Sequence, residues 1–308
     1  MALKIFCNDN FSLHKVPEGH PERVERIITI NKLIKEKFND YISNINLFDA
    51  GPYIELVHSN KYLEKIKTLK VKKSLICLDA DTYFSEGSYE ASILGVCGVI
   101  NAIDYVMKNK NNRAFVSSRP PGHHAEPEKA MGFCIFSNAA IAAKYALRKY
   151  ELSKVAVLDF DVHHGNGTQE AFIKNPNLIY ASTHEMPLFP GTGYTDEVGE
   201  GNIFNSPLNP FTETKEFISR WKNILLPKIN DLNPDLIIIS AGFDAHKNDP
   251  LSSVNLESID FKNITDLIVG LSDNCCNGNI ISILEGGYNL TSLKQSLNYH
   301  LNSLSKFT

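Results

Sequence analysis

The sequence lacks the hydrophobic length of a membrane protein, and it lacks a strong excess of charge of either sign. No run approaches the roughly 18 apolar residues that a membrane-spanning helix needs, and residues 1–9 are too polar for a secretory signal peptide. The 308 residues include 31 basic and 35 acidic side chains, for a net charge of −4, and no basic stripe. We therefore expect a cytoplasmic protein that binds neither nucleic acid nor a membrane.

The chain also lacks the Cys-x-x-Cys spacing that is typical of zinc–thiolate sites. Most of its cysteines lie in apolar surroundings, which favours buried free thiols in a reducing compartment over disulfides. The six are Cys7, Cys77, Cys97, Cys134, Cys275 and Cys276.

What the sequence does contain is a series of short, β-branched apolar runs that alternate with helical segments. This alternation predicts an α/β fold with three α/β/α layers around a central, mostly parallel sheet. We expect one domain over residues 1–308, with a long structured loop at 186–210. Strands are predicted at 3–7, 114–117, 155–158, 178–182, 236–240 and 280–284, and helices at 21–38, 88–107, 138–150, 167–173, 215–229, 258–271 and 290–304.

Two carboxylates and two imidazoles directly follow the strand predicted at 155–158. Alternate residues of an extended chain point to one side, so Asp159, Asp161 and His163 can converge. Burying these groups without a cation would be costly, and mixed oxygen and nitrogen ligands suit zinc or a similar divalent ion. The alternative is a cluster of helix-capping and loop residues without a metal.

Asp244 follows the strand predicted at 236–240 and would supply a further ligand from a neighbouring strand. Two carboxylates and one imidazole leave positions open on the ion, which is typical of a catalytic site. A helix cap is the alternative role for Asp244.

The pair His123 and His124 follows the strand predicted at 114–117. Such histidines can act as general base and general acid on a water molecule. Each needs a partner that orients its ring, and Asp159 and Asn166 are suitable types of residue. Two loop histidines without a catalytic role are the alternative.

Tyr288 follows two glycines after the strand predicted at 280–284, and its phenol could stabilise a tetrahedral oxyanion. An ordinary turn with a surface tyrosine is the alternative. The predicted loops also carry Gly132-Phe133 and Phe189, whose rings could form a narrow apolar slot, unless they are core or loop-anchoring aromatics.

Together these residues resemble the zinc-dependent histone deacetylase family, which has the arginase/deacetylase fold. The resemblance runs from about His20 to Tyr288, and Asn166 and Glu285 resemble the class II and bacterial branch. The motifs are Arg119-Pro-Pro-Gly-His-His-Ala125, Gly132-Phe133-Cys134, Asp159-Phe-Asp-Val-His-His-Gly-Asn-Gly167, Ala241-Gly-Phe-Asp244 and Glu285-Gly-Gly-Tyr288.

The resemblance implies roles for the residues at the reaction centre. Zinc would bind Asp161, His163 and Asp244. His124 would be the main general base and acid, while His123, paired with Asp159, would act electrostatically. Tyr288 would polarise the acetyl carbonyl. Family members also bind potassium, which here would contact Asp159, Asp161, His163, Ser182 and Thr183, largely through backbone carbonyls.

The resemblance also implies how a substrate would be held. Gly132, Phe133 and Phe189 would line a tunnel for acyl-lysine. Asp81 matches the rim aspartate that holds the substrate backbone, although Asp79 is a close alternative. Arg23 resembles the arginine of an internal acetate channel.

The expected substrate is the acetylated lysine side chain of a protein or peptide, with acetylated polyamines or other small amines as the alternative. An apolar Leu251 at the tunnel mouth suits acyl-lysine, whereas the eukaryotic polyamine branch has a glutamate there. Asp81, Glu126 or Glu185 could instead attract a second ammonium group. Composition and compact form favour a bacterial enzyme that is a monomer or a weak homo-oligomer.

Two other classes of protein remain as alternatives. A manganese ureohydrolase would need a second set of bridging carboxylates and an Asp-x-His-x-Asp motif, which the sequence lacks. A non-catalytic acetyl-lysine binding module would be free to lose Tyr288 or a histidine, yet every expected position is filled.

Overall fold

The computed structural model describes residues 2–71 and 75–306. Its centre is a sheet of eight strands in the order β2-β1-β5-β10-β9-β6-β7-β8, and every neighbouring pair is parallel. The strands are β1 (Ala2–Phe6), β2 (Ile42–Ser43), β5 (Asn112–Val116), β6 (Val155–Asp159), β7 (Leu178–Glu185), β8 (Ile203–Leu208), β9 (Leu236–Ala241) and β10 (Ile280–Leu284), and a separate antiparallel pair is formed by β3 (Ile76–Cys77) and β4 (Tyr83–Phe84).

Two groups of helices cover the sheet. In one, α4 and α5 pack against each other and against the central strands; in the other, α9 packs on α10, which also contacts α1. This arrangement confirms the predicted three-layer α/β fold. The helices are α1 (Glu25–Lys37), α2 (Gly51–Ile54), α3 (Asn60–Thr68), α4 (Ser88–Val106), α5 (Asn138–Lys149), α6 (Asn166–Phe172), α7 (Thr214–Arg220), α8 (Leu226–Leu232), α9 (Asp260–Cys275) and α10 (Leu290–Leu304).

The central strands are buried along their whole length because helices cover both of their faces. Every residue of β6, β9 and β10 is buried, which explains why their sequences are unbroken apolar runs rather than alternating patterns. The core therefore lies on both sides of the sheet.

Three sequence predictions differ from the observed elements. The predicted loop 186–210 contains the edge strand β8, whose Pro207 is tolerated at a sheet edge. The predicted helix 215–229 is divided by a π-helical turn at Trp221–Leu225. Helix α1 begins at Glu25 rather than near Pro21.

The cysteines are all free, but only Cys97, Cys134 and Cys276 are buried, and Cys77 is exposed. The expectation of buried thiols is therefore correct for only half of them. Across the residues that the structure describes, no helix has the length and apolar character needed to cross a membrane.

Parallel strands bring distant parts of the sequence to one edge of the sheet. Strands β5, β6, β9 and β10 are neighbours and run in the same direction. The polar segments that follow them therefore leave the sheet side by side, at the edge where open α/β sheets place their sites.

Candidate active site

Asp161, His163 and Asp244 form a buried cluster in which one potential ligand atom of each residue lies within 4.8 Å of the others. The Nδ1 atom of His163 is 3.1 Å from Oδ1 of Asp161 and 3.1 Å from Oδ2 of Asp244. Backbone N–H groups hold the outer oxygens: Gly286 donates to Asp161 at 2.8 Å, and Val162 donates to Asp244 at 2.9 Å. Among the described residues this is the only such cluster.

The protonation of these groups is strongly perturbed. Burial, together with the charge of Asp161, raises the pKa of Asp244 to about 7. Burial disfavours the charged form of His163, but hydrogen bonds and charges of the two carboxylates outweigh it and raise its pKa to about 10. A divalent cation would let both carboxylates remain ionised beside a neutral imidazole. Two carboxylate oxygens and one imidazole nitrogen fit zinc.

Close to this cluster lie the rings of His123 and His124, whose centroids are 4.0 Å apart. Each ring has a different partner: Nδ1 of His123 is 3.1 Å from a carboxylate oxygen of Asp159, and Nδ1 of His124 is 2.9 Å from the amide oxygen of Asn166. A carboxylate stabilises an imidazolium more strongly than an amide does, so the two histidines have different environments.

The pKa values of the two histidines move in opposite directions. Burial opposes protonation of His123, but the charges of Asp161 and Asp159 outweigh it and raise its pKa to about 10. Burial and the neighbouring His123 and His163 lower the pKa of His124 well below its ordinary value. In this pair His123 favours the protonated form, whereas His124 favours the neutral form.

Three further residues support this pair, and the sequence analysis gave none of them this role. The Tyr180 hydroxyl donates to Oδ2 of Asp159 at 3.0 Å. Asn166 donates through Nδ2 to Glu126 at 2.7 Å. The buried carboxylate of Glu285 accepts hydrogen bonds from the backbone N–H groups of Gly122 at 2.7 Å and His123 at 3.2 Å. No local sequence signal marks Tyr180, which reads as an ordinary strand aromatic.

Tyr288 is 7% exposed, and its ring lies between a cation and an aromatic side chain. The guanidinium carbon of Arg26 is 4.9 Å from the centre of the ring, and the ring of Phe133 is 5.8 Å away. Arg26 also donates to the backbone carbonyls of Glu285 and Gly287, at 2.5 and 2.6 Å. The turn at residues 285–288, which we call the tyrosine turn, is therefore attached to α1.

The assignment of Arg23 to an internal channel is wrong, because its side chain is exposed. Arg23 precedes the first residue of α1, whereas Arg26 lies within the helix and is buried. Arg26 forms an ion pair with the buried Glu22 at 2.8 Å, and Arg119 contacts the same carboxylate oxygen at 2.8 Å. The interior arginines of this region are therefore Arg26 and Arg119.

Gly132 and Phe189 adjoin His124, and Phe133 adjoins Tyr288. A Cβ atom at Gly132 would lie 2.4 Å from His124 and 2.9 Å from Phe189, so the chain passes these rings at a point where only glycine fits. The Phe189 ring is 5.0 Å from that of His124, and the Phe189 side chain is 39% exposed. Phe189 therefore reaches from the buried histidine to the surface.

The predicted rim residues occupy different surroundings. The carbonyl of Asp81 is 3.1 Å from His20 Nε2, and the adjacent Thr82 hydroxyl accepts the backbone N–H of Phe133 at 3.0 Å. Asp79 instead faces Lys129 at 3.6 Å. Asp81 is thus adjacent in sequence to the residue that contacts Phe133.

The remaining predicted residues lie around the cluster. Ser182 pairs in register with Asp159, its hydroxyl is 2.9 Å from Nδ1 of His184, and the Thr183 hydroxyl accepts from Trp221 at 2.9 Å. Leu251 is half-buried, and its N–H donates to Asp249 at 3.1 Å. Glu185 is buried and accepts the backbone N–H of Ser253 at 2.8 Å.

Known proteins resemble the chain over nearly its whole length. Residues 20–304 match the histone deacetylase domain. An uncharacterized protein of Synechocystis sp. is 37% identical over 96% of this chain and 97% of its own, and the rice histone deacetylase 10, described as chloroplastic, is 34% identical over 95% of this chain and 71% of its own. The crystal structure of the HDA15 HD domain superposes with a TM-score of 0.92 at 32% identity, covering 98% of this chain and 88% of that one.

The chain therefore belongs to the histone deacetylase family, and the resemblance seen in its motifs is confirmed. Membership supports a hydrolase with deacetylase activity on an acetylated substrate.

Proposed function

We propose that the protein is a zinc-dependent amidohydrolase that removes acetyl groups from lysine side chains of proteins or peptides. The observation that carries this proposal is the buried Asp161–His163–Asp244 cluster beside the oriented pair His123 and His124. These three residues would hold the zinc ion. When bound, zinc supplies Lewis-acid chemistry that polarises the amide carbonyl and activates water.

The histidines would carry the protons. The low pKa of His124 favours its neutral form, so this ring can take the proton of the attacking water and then give it to the leaving amine. His123, with Asp159 on its Nδ1 atom, favours the positive charge that stabilises an oxyanion nearby. The phenol of Tyr288 would donate a hydrogen bond to that oxyanion.

The acetyl-lysine side chain would enter beside Gly132, Phe133 and Phe189. The apolar rings suit the methylene groups of lysine, and the carboxylate of Asp81 would accept hydrogen bonds from a substrate backbone. The apolar Leu251 favours acyl-lysine over a substrate with a second ammonium group. Glu126 and Glu185 are already engaged with Asn166 and Ser253, which weakens the case for either as an ammonium site.

We further propose a potassium ion beside the zinc, held largely by backbone carbonyls of Asp159, Asp161, His163, Ser182 and Thr183. Ser182 pairs in register with Asp159, which brings two of these residues side by side and supports the proposed site. We treat residues 1–308 as one deacetylase domain of a bacterial, cytoplasmic protein, monomeric or weakly oligomeric, without nucleic-acid or membrane partners. The net charge of −4 supports the absence of a nucleic-acid partner, and the free cysteines support a reducing compartment.

The decisive experiment compares acetyl-lysine peptides with acetylated polyamines on the same enzyme preparation, with and without a chelator. We expect higher kcat/KM on peptides, loss of activity with the chelator and recovery with zinc. Metal analysis should give one zinc per chain, whereas two manganese ions would indicate a ureohydrolase. Chelator-resistant activity, or binding without turnover, would contradict the proposal.

A further inference from the structure

One buried carboxylate connects the turn that carries Tyr288 to the loop that follows Asp244. Asp249 is 6% exposed, and its Oδ2 atom accepts the backbone N–H groups of Tyr288 at 2.7 Å and Asn289 at 3.2 Å. Its Oδ1 atom accepts the N–H of Leu251 at 3.1 Å. A single side chain therefore has three backbone donors on two separate segments.

The turn before Tyr288 has little conformational restraint of its own. Gly286 and Gly287 precede the tyrosine, and Gly287 has a φ of +116°, which L side chains rarely adopt. Arg26 holds the carbonyls of Glu285 and Gly287, and Gly286 donates its N–H to Asp161, but the N–H groups of Tyr288 and Asn289 donate to Asp249. Removing this carboxylate would loosen the backbone at Tyr288 itself, where the phenol must be placed.

We propose that Asp249 is a positioning residue that holds the Tyr288 phenol in its catalytic orientation and links it to the tunnel mouth at Leu251. The inference rests on the proposed deacetylase function. An oriented donor typically accounts for about 10²–10³ in rate, and a displacement of about 1 Å caused by a remote mutation can cost about 10²-fold. The alternative is that Asp249 only caps the start of α10. In that case its loss would lower stability but would not act on catalysis through the Tyr288 phenol.

The first test uses graded variants of Asp249 with a matched control on the same loop. Asp249→Ala should lower kcat about 10- to 100-fold and change KM by less than about threefold. Asp249→Asn retains one oxygen acceptor and should recover part of that loss. Glu185→Ala is the control, because it removes an acceptor for the N–H of Ser253 on the same loop without touching the tyrosine turn.

The second test is a double-mutant cycle measured in single turnovers with enzyme in excess. If Asp249 acts through the phenol, Asp249→Ala should cost less than about twofold in a Tyr288→Phe background, while the effect of Glu185→Ala should be the same in both backgrounds. An undiminished Asp249→Ala effect in the Tyr288→Phe enzyme would overturn the proposal.

Hydrogen exchange provides a readout that needs neither substrate nor activity. Asp249→Ala should increase exchange in a peptide spanning 285–293, in both metal-free and zinc-loaded protein, and Glu185→Ala should not. Unchanged protection of this peptide would also overturn the proposal. If the wild-type enzyme has no deacetylase activity, the proposed function fails, but exchange still shows whether Asp249 holds the turn.

Discussion

The turn that carries Tyr288 packs against the Asp161–His163–Asp244 cluster. Two residues before the tyrosine, Gly286 donates its N–H to Asp161 and packs so closely that an added Cβ would lie 2.1 Å from Asp244. In the proposed site these three side chains would supply the ligand atoms, and Tyr288 would not be a ligand.

Tyr288→Phe should accordingly lower kcat by about 10²–10³, since it removes one oxyanion donor. Zinc content, measured by elemental analysis, should stay at the wild-type level because no ligand is lost. Near-normal turnover in this variant would show that the phenol does not stabilise the oxyanion.

Asn166→Asp tests why the two histidines have unlike partners. A carboxylate facing Nδ1 should raise the pKa of His124, and a general base must be neutral to work. The acid limb of the pH profile of kcat/KM should therefore move to higher pH. An unmoved limb would argue against His124 as the base.

The control for that substitution is Asn166→Asp combined with Glu126→Gln. Asn166 donates to Glu126 at 2.7 Å, so the single variant sets two carboxylates against each other. The amide introduced by Glu126→Gln can donate a hydrogen bond to the new carboxylate. If the acid limb of the pH profile moves because His124 titrates at higher pH, the double variant should show the same shift. If it moves because two carboxylates repel each other, the double variant should lose the shift.

At the scale of elements, the buried strands were predictable and the connections between them were not. The runs of β6, β9 and β10 are apolar because helices cover both faces of these strands, so their composition alone indicates that they are buried. Polar residues begin where β6 and β9 end, which located Asp161, His163 and Asp244, and the pair His123 and His124 likewise follows β5. Strand β8 was missed because it is an edge strand that includes Asn205, Ser206 and Pro207.

Residues that act through tertiary contacts had no local pattern to reveal them. In the sequence Asp249 resembles any loop aspartate, because the N–H group that it binds belongs to Tyr288, 39 residues later. Arg23 and Arg26 are equally plausible in the sequence, and only the position where α1 begins decides which is interior. Tyr180 likewise reads as a strand aromatic, although its hydroxyl holds Asp159.

The loop from Asp244 to Leu256 offers a test of substrate choice. If Leu251 lines the mouth of the proposed tunnel, Leu251→Glu would place a carboxylate there, where it should attract a second ammonium group. The ratio of kcat/KM for acetylated polyamine over acetyl-lysine peptide should rise about tenfold or more, which corresponds to about 1.4 kcal/mol.

Leu251→Gln is the matched control, because it has a similar size and polarity but no charge. It should change the ratio much less than the glutamate does. Equal ratios for both variants would show that charge at residue 251 does not select the substrate.

At the scale of the whole molecule, several histidines are buried away from the Asp161–His163–Asp244 cluster. Burial lowers the pKa of His58 to about 4 and that of His300 to about 3. Burial therefore favours the neutral form of both rings in the folded protein, and His300 contacts the hydroxyls of Thr265 and Ser282 at 2.7 and 2.8 Å.

Because burial favours the neutral form of these histidines, we expect the folded protein to lose stability in acid. In the unfolded chain they take up protons below about pH 6.5, while the folded protein excludes them until about pH 4 or 3. Their contribution is therefore fully present above about pH 6.5 and is lost as the pH falls through that window, by up to about 1.4 kcal/mol per pH unit for each ring.

Urea denaturation of the metal-free protein between pH 7.5 and 4.5 measures this slope. In the His300→Gln variant the free energy of unfolding should depend less steeply on pH, by the slope that corresponds to about one proton, whatever the substitution does to stability at pH 7.5. An identical slope for the variant and the wild type would mean that His300 is not the neutral buried group that the packing indicates.

The contact between α1 and the tyrosine turn has a consequence for the order of synthesis. Arg26 and Gly287, which share a hydrogen bond, are 261 positions apart. At about 5–20 residues per second, a ribosome needs roughly 13 to 50 seconds between making one and the other. Throughout that interval Arg26 lacks the segment that it will hold, and Asp244, the last of the residues that would bind zinc, is made only near its end. The chemistry of the enzyme therefore appears late in translation, after most of the sheet has been made.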